Sequence, residues 1–285
     1  MIVKSGVQHI AAAFERTRSE QRAALIPYVT LGHPTLEISL TLATAAIESG
    51  ADLLELGVPF SDPLADGPVI QRATQSALNQ GVTVVRCLEL AQTLRQQKPE
   101  IPLLFMGYAN PILTYGEEAF CRACTVAGVD GLIVPDLPPE EGRGLEAACR
   151  HHGLALVYLL APTSTPQRVE LVAQRSRGFV YLVSITGTTG SRDRLPADLP
   201  AFVERVRAAT DKPLAVGFGI ATAQQAGLVA VLADGVIVGS ALVGLAEQVN
   251  AESKVRSFVA DLRAAMTARQ ADPDVGRNER SSGEI

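Results

Sequence analysis

The stretch Leu53-Leu54-Glu55-Leu56-Gly57-Val58-Pro59-Phe60-Ser61-Asp62-Pro63-Leu64-Ala65-Asp66-Gly67-Pro68 joins a short apolar run to a long segment rich in turn-forming residues. The apolar run predicts a buried strand, and the Pro, Gly, Ser and Asp residues after it predict a loop. Successive side chains of a strand point to opposite faces. We therefore expect Leu54 and Leu56 to share one face of the strand, and Glu55 and Gly57 to share the other.

Glu55 is an ionisable residue inside this apolar run. A buried carboxylate costs free energy unless it is paired, protonated or used in chemistry. The loop supplies further acids, of which Asp66 is a candidate partner for acid–base work with Glu55. The alternatives are a structural ion pair for Glu55 and a helix N-cap for Asp66, which precedes Gly67-Pro68. Asp62 is expected to shape the loop or to contact a partner.

Short apolar runs alternate with helical patterns along most of the chain. Eight runs predict strands, and most are wholly apolar, as in parallel strands buried on both faces. They are residues 25–31, 52–57, 102–106, 131–134, 154–160, 179–184, 214–218 and 235–238. Eight alternating units with short connections predict an α/β fold, a single-domain (β/α)8 TIM barrel. A doubly wound open sheet is the alternative, disfavoured because no G-x-G-x-x-G follows the first strand.

Additional helical segments lie outside this simple alternation. Residues 7–18 predict an extra N-terminal helix that could close the bottom of the barrel. Residues 69–78 and 84–97 predict two helices between the second and third strands, one more than the barrel needs. A last long helix is expected from about 241 to 266. Residues 269–285 are rich in Asp, Arg, Ser and Gly, which predicts a disordered tail after a barrel domain of residues 1–268.

Three aspartates lie directly before apolar runs in similar local contexts. They occur in Gly50-Ala51-Asp52, Gly128-Val129-Asp130 and Ala233-Asp234-Gly235. Such positions lie at the amino-terminal face of barrel strands, where residues serve stability rather than catalysis. We therefore assign these three aspartates a structural role.

Composition excludes several classes of function. The chain has 285 residues, a net charge of -5 and 47% hydrophobic residues, which favours a large core and argues against a nucleic-acid partner. It has no apolar run long enough for a membrane helix, and its N-terminus lacks a signal-peptide pattern, so a cytoplasmic location is expected.

Cys121 and Cys124 form a C-x-x-C within a helical pattern, which favours packing over redox or metal chemistry. With four histidines and no ligand spacing among them, no metal site is expected.

Glycine-rich turns follow the last two predicted strands. They are Gly217-Phe218-Gly219-Ile220 and Gly239-Ser240-Ala241, and Ser240 opens a helix. Loops after the seventh and eighth strands, with backbone N–H groups at a helix N-terminus, form the common phosphate site of such barrels. The alternative is that these glycines only make tight turns. The absence of a G-x-x-x-x-G-K motif argues against a nucleoside triphosphate.

Residues 184–192, Ser-Ile-Thr-Gly-Thr-Thr-Gly-Ser-Arg, follow the sixth predicted strand. This small, polar and glycine-rich segment suits a lid that closes over a ligand and excludes water. An ordinary flexible surface loop is the alternative.

Several motifs, in order along the chain, resemble those of the tryptophan synthase alpha chain family. The similarity covers residues 26–241 and rests on PYVTLG, ELGVPFSDPLADGP, YANP, VPDLP, YLVS, TGTTG, GFGI and GSA. The resemblance implies a lyase of tryptophan biosynthesis that cleaves indole-3-glycerol phosphate to indole and glyceraldehyde 3-phosphate by a retro-aldol reaction. By position, Glu55 matches the general acid–base and Asp66 the carboxylate that holds the indole N–H.

The same resemblance implies roles for further residues. Substrate-binding positions are Tyr28, Tyr181, Thr189, Gly190, Phe218, Gly219, Gly239 and Ser240. Among these, Thr189 matches a lid threonine that contacts Asp66, and the glycines and Ser240 match donors to phosphate. The expected partner is a pyridoxal-phosphate (PLP) beta chain in an α2β2 complex, while the alpha chain itself holds no cofactor. The contact positions are Pro59, Asp62, Asn110 and Pro138.

Two alternatives to this function stay open. A lyase that releases indole without a partner would keep Glu55 and Asp66, and a catalytically silent subunit that only activates a partner would not need Glu55. The chain also departs from common family patterns at His33, at Ile185 and in its TGTTGSR lid. These departures affect the lid and communication with a partner and remove no catalytic group.

Overall fold

The computed structural model describes residues 5–183, 195–217 and 219–268. The strands are β1 (Ala24–Thr30), β2 (Leu54–Gly57), β3 (Leu103–Met106), β4 (Gly131–Ile133), β5 (Ala155–Val157), β6 (Leu159–Leu160), β7 (Val180–Val183), β8 (Leu214–Gly217) and β9 (Gly235–Val238). The helices are α1 (Gly6–Ser19), α2 (Leu36–Glu48), α3 (Pro68–Asn79), α4 (Val84–Gln97), α5 (Ala109–Tyr115), α6 (Glu117–Ala127), α7 (Arg143–His151), α8 (Pro166–Arg175), α9 (Leu199–Arg207), α10 (Ala223–Leu232), α11 (Ser240–Val243) and α12 (Ala251–Ala268). Within these described ranges, no helix is long and apolar enough to cross a membrane.

All paired strands run parallel, in the order β5-β4-β3-β2-β1-β9-β8-β7-β6. The two ends of this order, β5 and β6, are separated along the chain by Tyr158 alone. They are therefore two halves of one strand, of which the first half pairs with β4 and the second with β7. This divided strand closes the sheet into an eight-stranded barrel, so the predicted (β/α)8 fold is confirmed and the open sheet is wrong.

The two faces of the strands pack against different layers. Leu54 and Leu56 belong to the cluster between the sheet and the surrounding helices, whereas Leu53 belongs to the cluster inside the barrel. The predicted alternation along β2 is therefore confirmed. It places Glu55, buried and of the same parity as Leu53, on the inner face.

Helix α1 closes the amino-terminal end of the barrel, as predicted. Ser5 caps it by accepting a hydrogen bond from the Gln8 N–H, and the Gln8 side chain bonds back to the Ser5 N–H. This reciprocal capping box starts the helix. Ile10 and Phe14 then join the interior cluster, and the Phe14 ring lies 5.6 Å from that of Phe179.

Two helix predictions need correction. The last long helix is not continuous, because α11 ends at Val243 and α12 begins at Ala251, after Asn250 at a positive φ of 59°. Helix α5 was not predicted. It ends before Gly116, whose φ of 88° separates it from α6. Helices α3 and α4 after β2 are confirmed. The predicted tail, residues 269–285, lies outside the described residues and stays a prediction, as does the domain boundary at 268.

The three aspartates play the structural role expected of them, each in the same way. Asp52 accepts a hydrogen bond from the Leu25 N–H at 3.0 Å, Asp130 from the Leu103 N–H at 2.8 Å and Asp234 from the Leu214 N–H at 2.8 Å. Each carboxylate also binds at least one arginine, namely Arg22, Arg95 and Arg207 in turn, and Asp52 binds Arg16 and Arg263 as well. Each aspartate thus satisfies an amide at the start of a neighbouring strand and neutralises a guanidinium.

Asp130→Ala is expected to lower the free energy of unfolding by about 3 kcal/mol, because it leaves Arg95 and the Leu103 amide without their shared acceptor. Urea denaturation of both proteins measures the change. Asp261→Ala, at an exposed site on α12, is the matched control and is expected to stay within about 0.5 kcal/mol of the parent. Equal stability of the two variants would contradict the structural role of Asp130.

The cysteines of the C-x-x-C pattern pack inside the helical layer. Cys121 and Cys124 lie on α6 and are fully buried, and the Cys121 sulfur is 3.7 Å from that of Cys149 on α7. Burial raises the pKa of the Cys124 thiol well above its usual value. The packing interpretation of the C-x-x-C is therefore confirmed.

Candidate active site

Glu55 is a buried acid on the inner face of β2, in the interior of the barrel. In the strand register it lies between Tyr28 on β1 and Leu104 on β3. Its residue is 1% exposed, and its Oε2 atom has no hydrogen-bond partner among the described residues. Burial, and secondarily the charge of Asp66, raises the pKa of Glu55 to about 8. The carboxyl is therefore mainly protonated at neutral pH, and the expected alternative of an ion pair finds no basic partner in the described part of the chain.

Asp66 is held by a tyrosine from the next strand. Its Oδ2 accepts a hydrogen bond from the Tyr108 hydroxyl at 3.0 Å, and that hydroxyl accepts one from the Ala65 N–H at 3.1 Å. Its Oδ1 has no partner in the described ranges. Burial raises the pKa of Asp66 to about 6, although the Tyr108 hydrogen bond opposes the shift. The N-cap of α3 is Gly67, without a side-chain cap, so the N-cap interpretation of Asp66 is wrong.

Electrostatic coupling shows that the two acids share one environment. Burial raises the pKa values of Glu55, Tyr28 and Tyr181, and the charge of Asp66 raises all three further. Both tyrosines are buried in the interior cluster, and the charge of Glu55 adds to the burial that raises their pKa values. A cavity of about 420 Å³, lined by Ala65, Leu159 and other residues, opens at this carboxyl-terminal end of the strands. Ala65, the chain neighbour of Asp66, is where this cavity adjoins the loop that carries the acid.

Two glycines provide the space in which these tyrosines lie. A Cβ atom on Gly57 would come 2.0 Å from the Tyr28 hydroxyl oxygen, and one on Gly217 would come 2.3 Å from that of Tyr181. Neither distance is sterically possible. Each tyrosine therefore reaches across to a glycine on the neighbouring strand, and both rings stay inside the barrel next to Glu55.

Tyr108 contacts the candidate acid Asp66, and sequence reasoning gave it no role. It follows β3, and its ring packs 5.4 Å from that of Phe60 in the loop after β2. Its position after the carboxyl end of a strand could have indicated it, because catalytic residues of barrel enzymes lie there. Its contact with Asp66 joins the loops of two strands, and no local pattern indicates such a contact.

The predicted phosphate-binding residues lie partly within the described chain. Gly219 has a positive φ of 83°, which only glycine adopts without strain. Gly239 precedes α11 and Ser240 is the first residue of that helix. A Cβ on Gly239 would lie 3.6 Å from the Tyr28 Cβ, so this turn adjoins the acid pocket. Thr189, Gly190, Phe218 and the predicted lid 184–192 lie outside the described residues.

The four predicted contact residues follow successive strands at the same end of the barrel. Pro59 and Asp62 follow β2, Asn110 lies in the first turn of α5 after β3, and Pro138 follows β4. Asp62 and Asn110 are exposed and Pro138 is partly buried, whereas Pro59 is buried. In the same loop Leu64 is 87% exposed, which gives this end of the barrel a protruding apolar side chain.

Histidines lie apart from the acid pocket. His151 Nδ1 and His152 Nε2 approach the same oxygen of Glu118 at 2.9 and 2.8 Å on the outer helical layer. His33 is buried after β1, and its Nε2 is 3.5 Å from a Glu247 oxygen. Neither group belongs to the pocket of Glu55, and the expectation of no metal site stays a prediction.

Comparisons with known proteins agree with this geometry. The family model for the tryptophan synthase alpha chain matches residues 14–271. The alpha chain of Dehalococcoides mccartyi is 50% identical over 247 residues, which is 87% of this chain and 96% of that one. The alpha chain of a Roseiflexus species is 48% identical over 85% of this chain and 93% of its own.

Solved structures give the same result. A structure of Mycobacterium tuberculosis tryptophan synthase superposes with a TM-score of 0.84 at 40% identity and covers 93% of this chain and 99% of that chain. The alpha subunit from Legionella pneumophila superposes with a TM-score of 0.84 at 36% identity, over 91% and 98% of the two chains. From this match of sequence and of barrel structure, the chain belongs to the tryptophan synthase alpha chain family.

Proposed function

We propose that Glu55 and Asp66 are the acids with which this lyase cleaves indole-3-glycerol phosphate to indole and glyceraldehyde 3-phosphate. The observation that carries the proposal is the Glu55 carboxyl, which is buried and protonated at neutral pH, with one oxygen unpartnered within the described chain. A general acid needs a pKa near the working pH, and Glu55 meets this requirement through burial. Asp66, with the lower pKa, supplies the carboxylate.

The reaction transfers one proton from a hydroxyl to a ring carbon. Glu55 gives its proton to C3 of the indole, which places positive charge on the ring nitrogen. The Asp66 carboxylate, bound to the N–H, stabilises that charge. The Glu55 carboxylate then removes the proton of the side-chain hydroxyl next to the ring, a C=O double bond forms, and the electrons of the breaking C–C bond restore the aromatic ring. Glu55 ends protonated, as it began.

The same proposal assigns the binding residues. Tyr28, Tyr181 and Phe218 wall the pocket, and Thr189 contacts Asp66 when the lid closes. Gly190, Gly219, Gly239 and Ser240 donate hydrogen bonds to the phosphate. The adjacency of Gly239 to Tyr28 supports this assignment, because a phosphate bound at Gly239 would then be next to a residue that neighbours Glu55 in the strand register.

The rate of indole release should have a bell-shaped dependence on pH. Glu55 must start protonated and Asp66 ionised, so activity is expected to fall above about pH 8 and below about pH 6. Because the two acids interact, the two midpoints belong to the pair. The pH dependence of kcat/KM measures them in the free enzyme. A profile that keeps rising through pH 9 would contradict Glu55 as the proton donor.

Gly239→Asp is expected to raise KM for indole-3-glycerol phosphate at least about tenfold, through repulsion between the new carboxylate and the phosphate. Gly239→Ala is the control for the size of the new side chain without its charge. Its Cβ would lie 3.6 Å from the Tyr28 Cβ, which is an ordinary van der Waals contact. We expect the alanine variant to keep most of the affinity. Steady-state kinetics of the two variants decide the assignment, and an unchanged KM in Gly239→Asp would reject it.

We further propose that a PLP-containing beta chain is the partner and that this chain itself holds no cofactor. The supporting observation is the row of loops after β2, β3 and β4, which presents Asp62, Asn110, Pro138 and the exposed Leu64 at the pocket end. A partner docked there lies next to the site where indole forms. An uncharged aromatic product can then pass between subunits without release to water.

The deciding experiment measures indole release from indole-3-glycerol phosphate by the purified chain, with and without a tryptophan synthase beta chain. We expect indole from the chain alone and a higher turnover, with co-elution, when the beta chain is present. If the beta chain does not change the turnover and does not co-elute with this chain, the result would favour the lyase that needs no partner. No indole under either condition would reject the proposed role of Glu55 and favour the silent subunit.

A further inference from the structure

Gly57 lies directly above Glu55 on the inner face of β2. The two residues are two positions apart in one strand, so they share a face, and Gly57 is nearer the carboxyl-terminal mouth of the barrel. Its φ is not positive, so the backbone itself does not require glycine. What requires it is the neighbouring side chain, because a Cβ at this position would overlap Tyr28.

The Tyr28 ring crosses from β1 to β2 at this point. Tyr28 starts level with Glu55 in the strand register, and its hydroxyl end reaches the level of Gly57. A Gly57 Cβ would lie 2.0 Å from the hydroxyl oxygen, 2.4 Å from Cζ and 2.8 Å from Cε2. The outer edge of the ring, and not the hydroxyl alone, therefore occupies the space that any other residue at 57 would fill.

This crossing places the phenol between Glu55 and the mouth of the barrel. Tyr28 and Glu55 are 4% and 1% exposed, so the covered carboxyl has almost no contact with solvent. Burial is the largest cause of the raised pKa values of Glu55, Tyr28 and Tyr181. Beyond it, the charge of Asp66 raises the pKa of Glu55, and the charge of Glu55 raises those of the two tyrosines. Leu104 from β3 adds an apolar neighbour. Burial is the larger cause of the raised Glu55 pKa, and Tyr28 is the covering group that depends on a glycine.

We propose that Gly57 is a positioning residue for Glu55, because the missing side chain lets the Tyr28 phenol lie over the carboxyl and exclude water from it. This inference rests on the proposed role of Glu55 as proton donor. It adds that the donor is kept protonated by a ring that only glycine at position 57 admits. Gly57 and Tyr28 then act as one unit.

The titration of Glu55 tests the proposal without using activity. The full chain is labelled with ¹³C-glutamate, the carboxyl signal of Glu55 is assigned by its loss in Glu55→Gln, and its midpoint is followed by NMR. Gly57→Ala and Tyr28→Leu are each expected to lower the midpoint by about one pH unit or more, since both admit water to the carboxyl. Tyr28→Phe keeps the ring and is the matched control, expected to keep the parent midpoint.

The double variant Gly57→Ala/Tyr28→Leu distinguishes a shared cause from two separate ones. Because both changes displace the same ring, we expect its midpoint to equal that of Tyr28→Leu alone rather than the sum of two shifts. Unchanged midpoints in Tyr28→Leu, or additive shifts in the double variant, would overturn the proposal. If Gly57→Ala does not fold, Tyr28→Leu against Tyr28→Phe still decides it. If Gly57→Ala and Tyr28→Leu shift the midpoint but Glu55→Gln releases indole at the full rate, the proposed function is rejected. The inference that Gly57 and Tyr28 shield Glu55 from water would still hold.

Discussion

Glu55→Gln is expected to slow indole release by about 10²–10⁴-fold, the contribution of one positioned proton-transfer group. Gln has the shape of Glu and fits the same buried position, but it can neither give a proton to C3 nor take one from the hydroxyl. KM should change little, since the proposed binding residues are untouched. Single-turnover kinetics with excess enzyme measure the chemical step directly.

The stability of this variant provides an independent check. The pKa of Glu55 is raised to about 8 from an ordinary 4.5, so the unfolded chain ionises first as pH rises. The native state then loses stability between these two values, by up to about 1.4 kcal/mol for each pH unit. Glu55→Gln removes this loss, so the variant should become the more stable protein, by a margin that grows from pH 5 to pH 8. Urea denaturation at several pH values measures the margin.

Glu146→Gln is the matched control for both measurements. Glu146 is also buried, but it lies on α7 in the helical layer, where it accepts hydrogen bonds from Tyr158 and Arg175. Removing its charge should weaken the fold and leave the rate per folded molecule unchanged. A parent-like rate in Glu55→Gln, or equal rate losses in the two variants, would remove Glu55 from the mechanism.

The fold was predictable because its signals are local. Apolar runs and the alternation along β2 placed Glu55 inside the barrel, and the repeated aspartates marked the amino-terminal ends of strands. The break between α11 and α12 begins at Gly244, the C-cap of α11, and ends at Asn250, which has a positive φ. It was missed because a single glycine does not by itself end a helical pattern, and the sequence does not display a dihedral angle. The Tyr108–Asp66 hydrogen bond was missed because it joins two loops that become neighbours only when β2 pairs with β3.

The choice between the two interpretations of Asp66 depended on a contact of the same kind. Asp66-Gly67-Pro68 allows N-capping by Asp66 or, with Pro68 at the first helical position, by Gly67. The carboxylate is instead drawn to the Tyr108 hydroxyl, which provides a hydrogen bond in a partly buried site. A competing tertiary partner thus decided between two locally reasonable conformations.

Asp66→Asn is expected to lower kcat/KM for indole-3-glycerol phosphate by about 10²–10³-fold with the fold intact. The amide oxygen can still accept the Tyr108 hydrogen bond, and no helix cap is lost because Gly67 holds that position. What disappears is the negative charge that stabilises the positive ring nitrogen in the transition state. Burial raises the pKa of Asp66 from 3.8 to about 6, so the fold loses stability as pH rises between these values, and at neutral pH the uncharged amide should melt at the same temperature or higher.

Tyr108→Phe separates the charge of Asp66 from its position. It keeps the carboxylate and the ring packing with Phe60 but removes the hydrogen bond, so we expect a smaller loss of activity than in Asp66→Asn. Calorimetry and steady-state kinetics on both variants give the two readouts. A fall of melting temperature in Asp66→Asn as large as that in Asp130→Ala would instead make Asp66 a structural residue. Activity and stability would then fall together, and the carboxylate would have no separate role in stabilising charge on the indole.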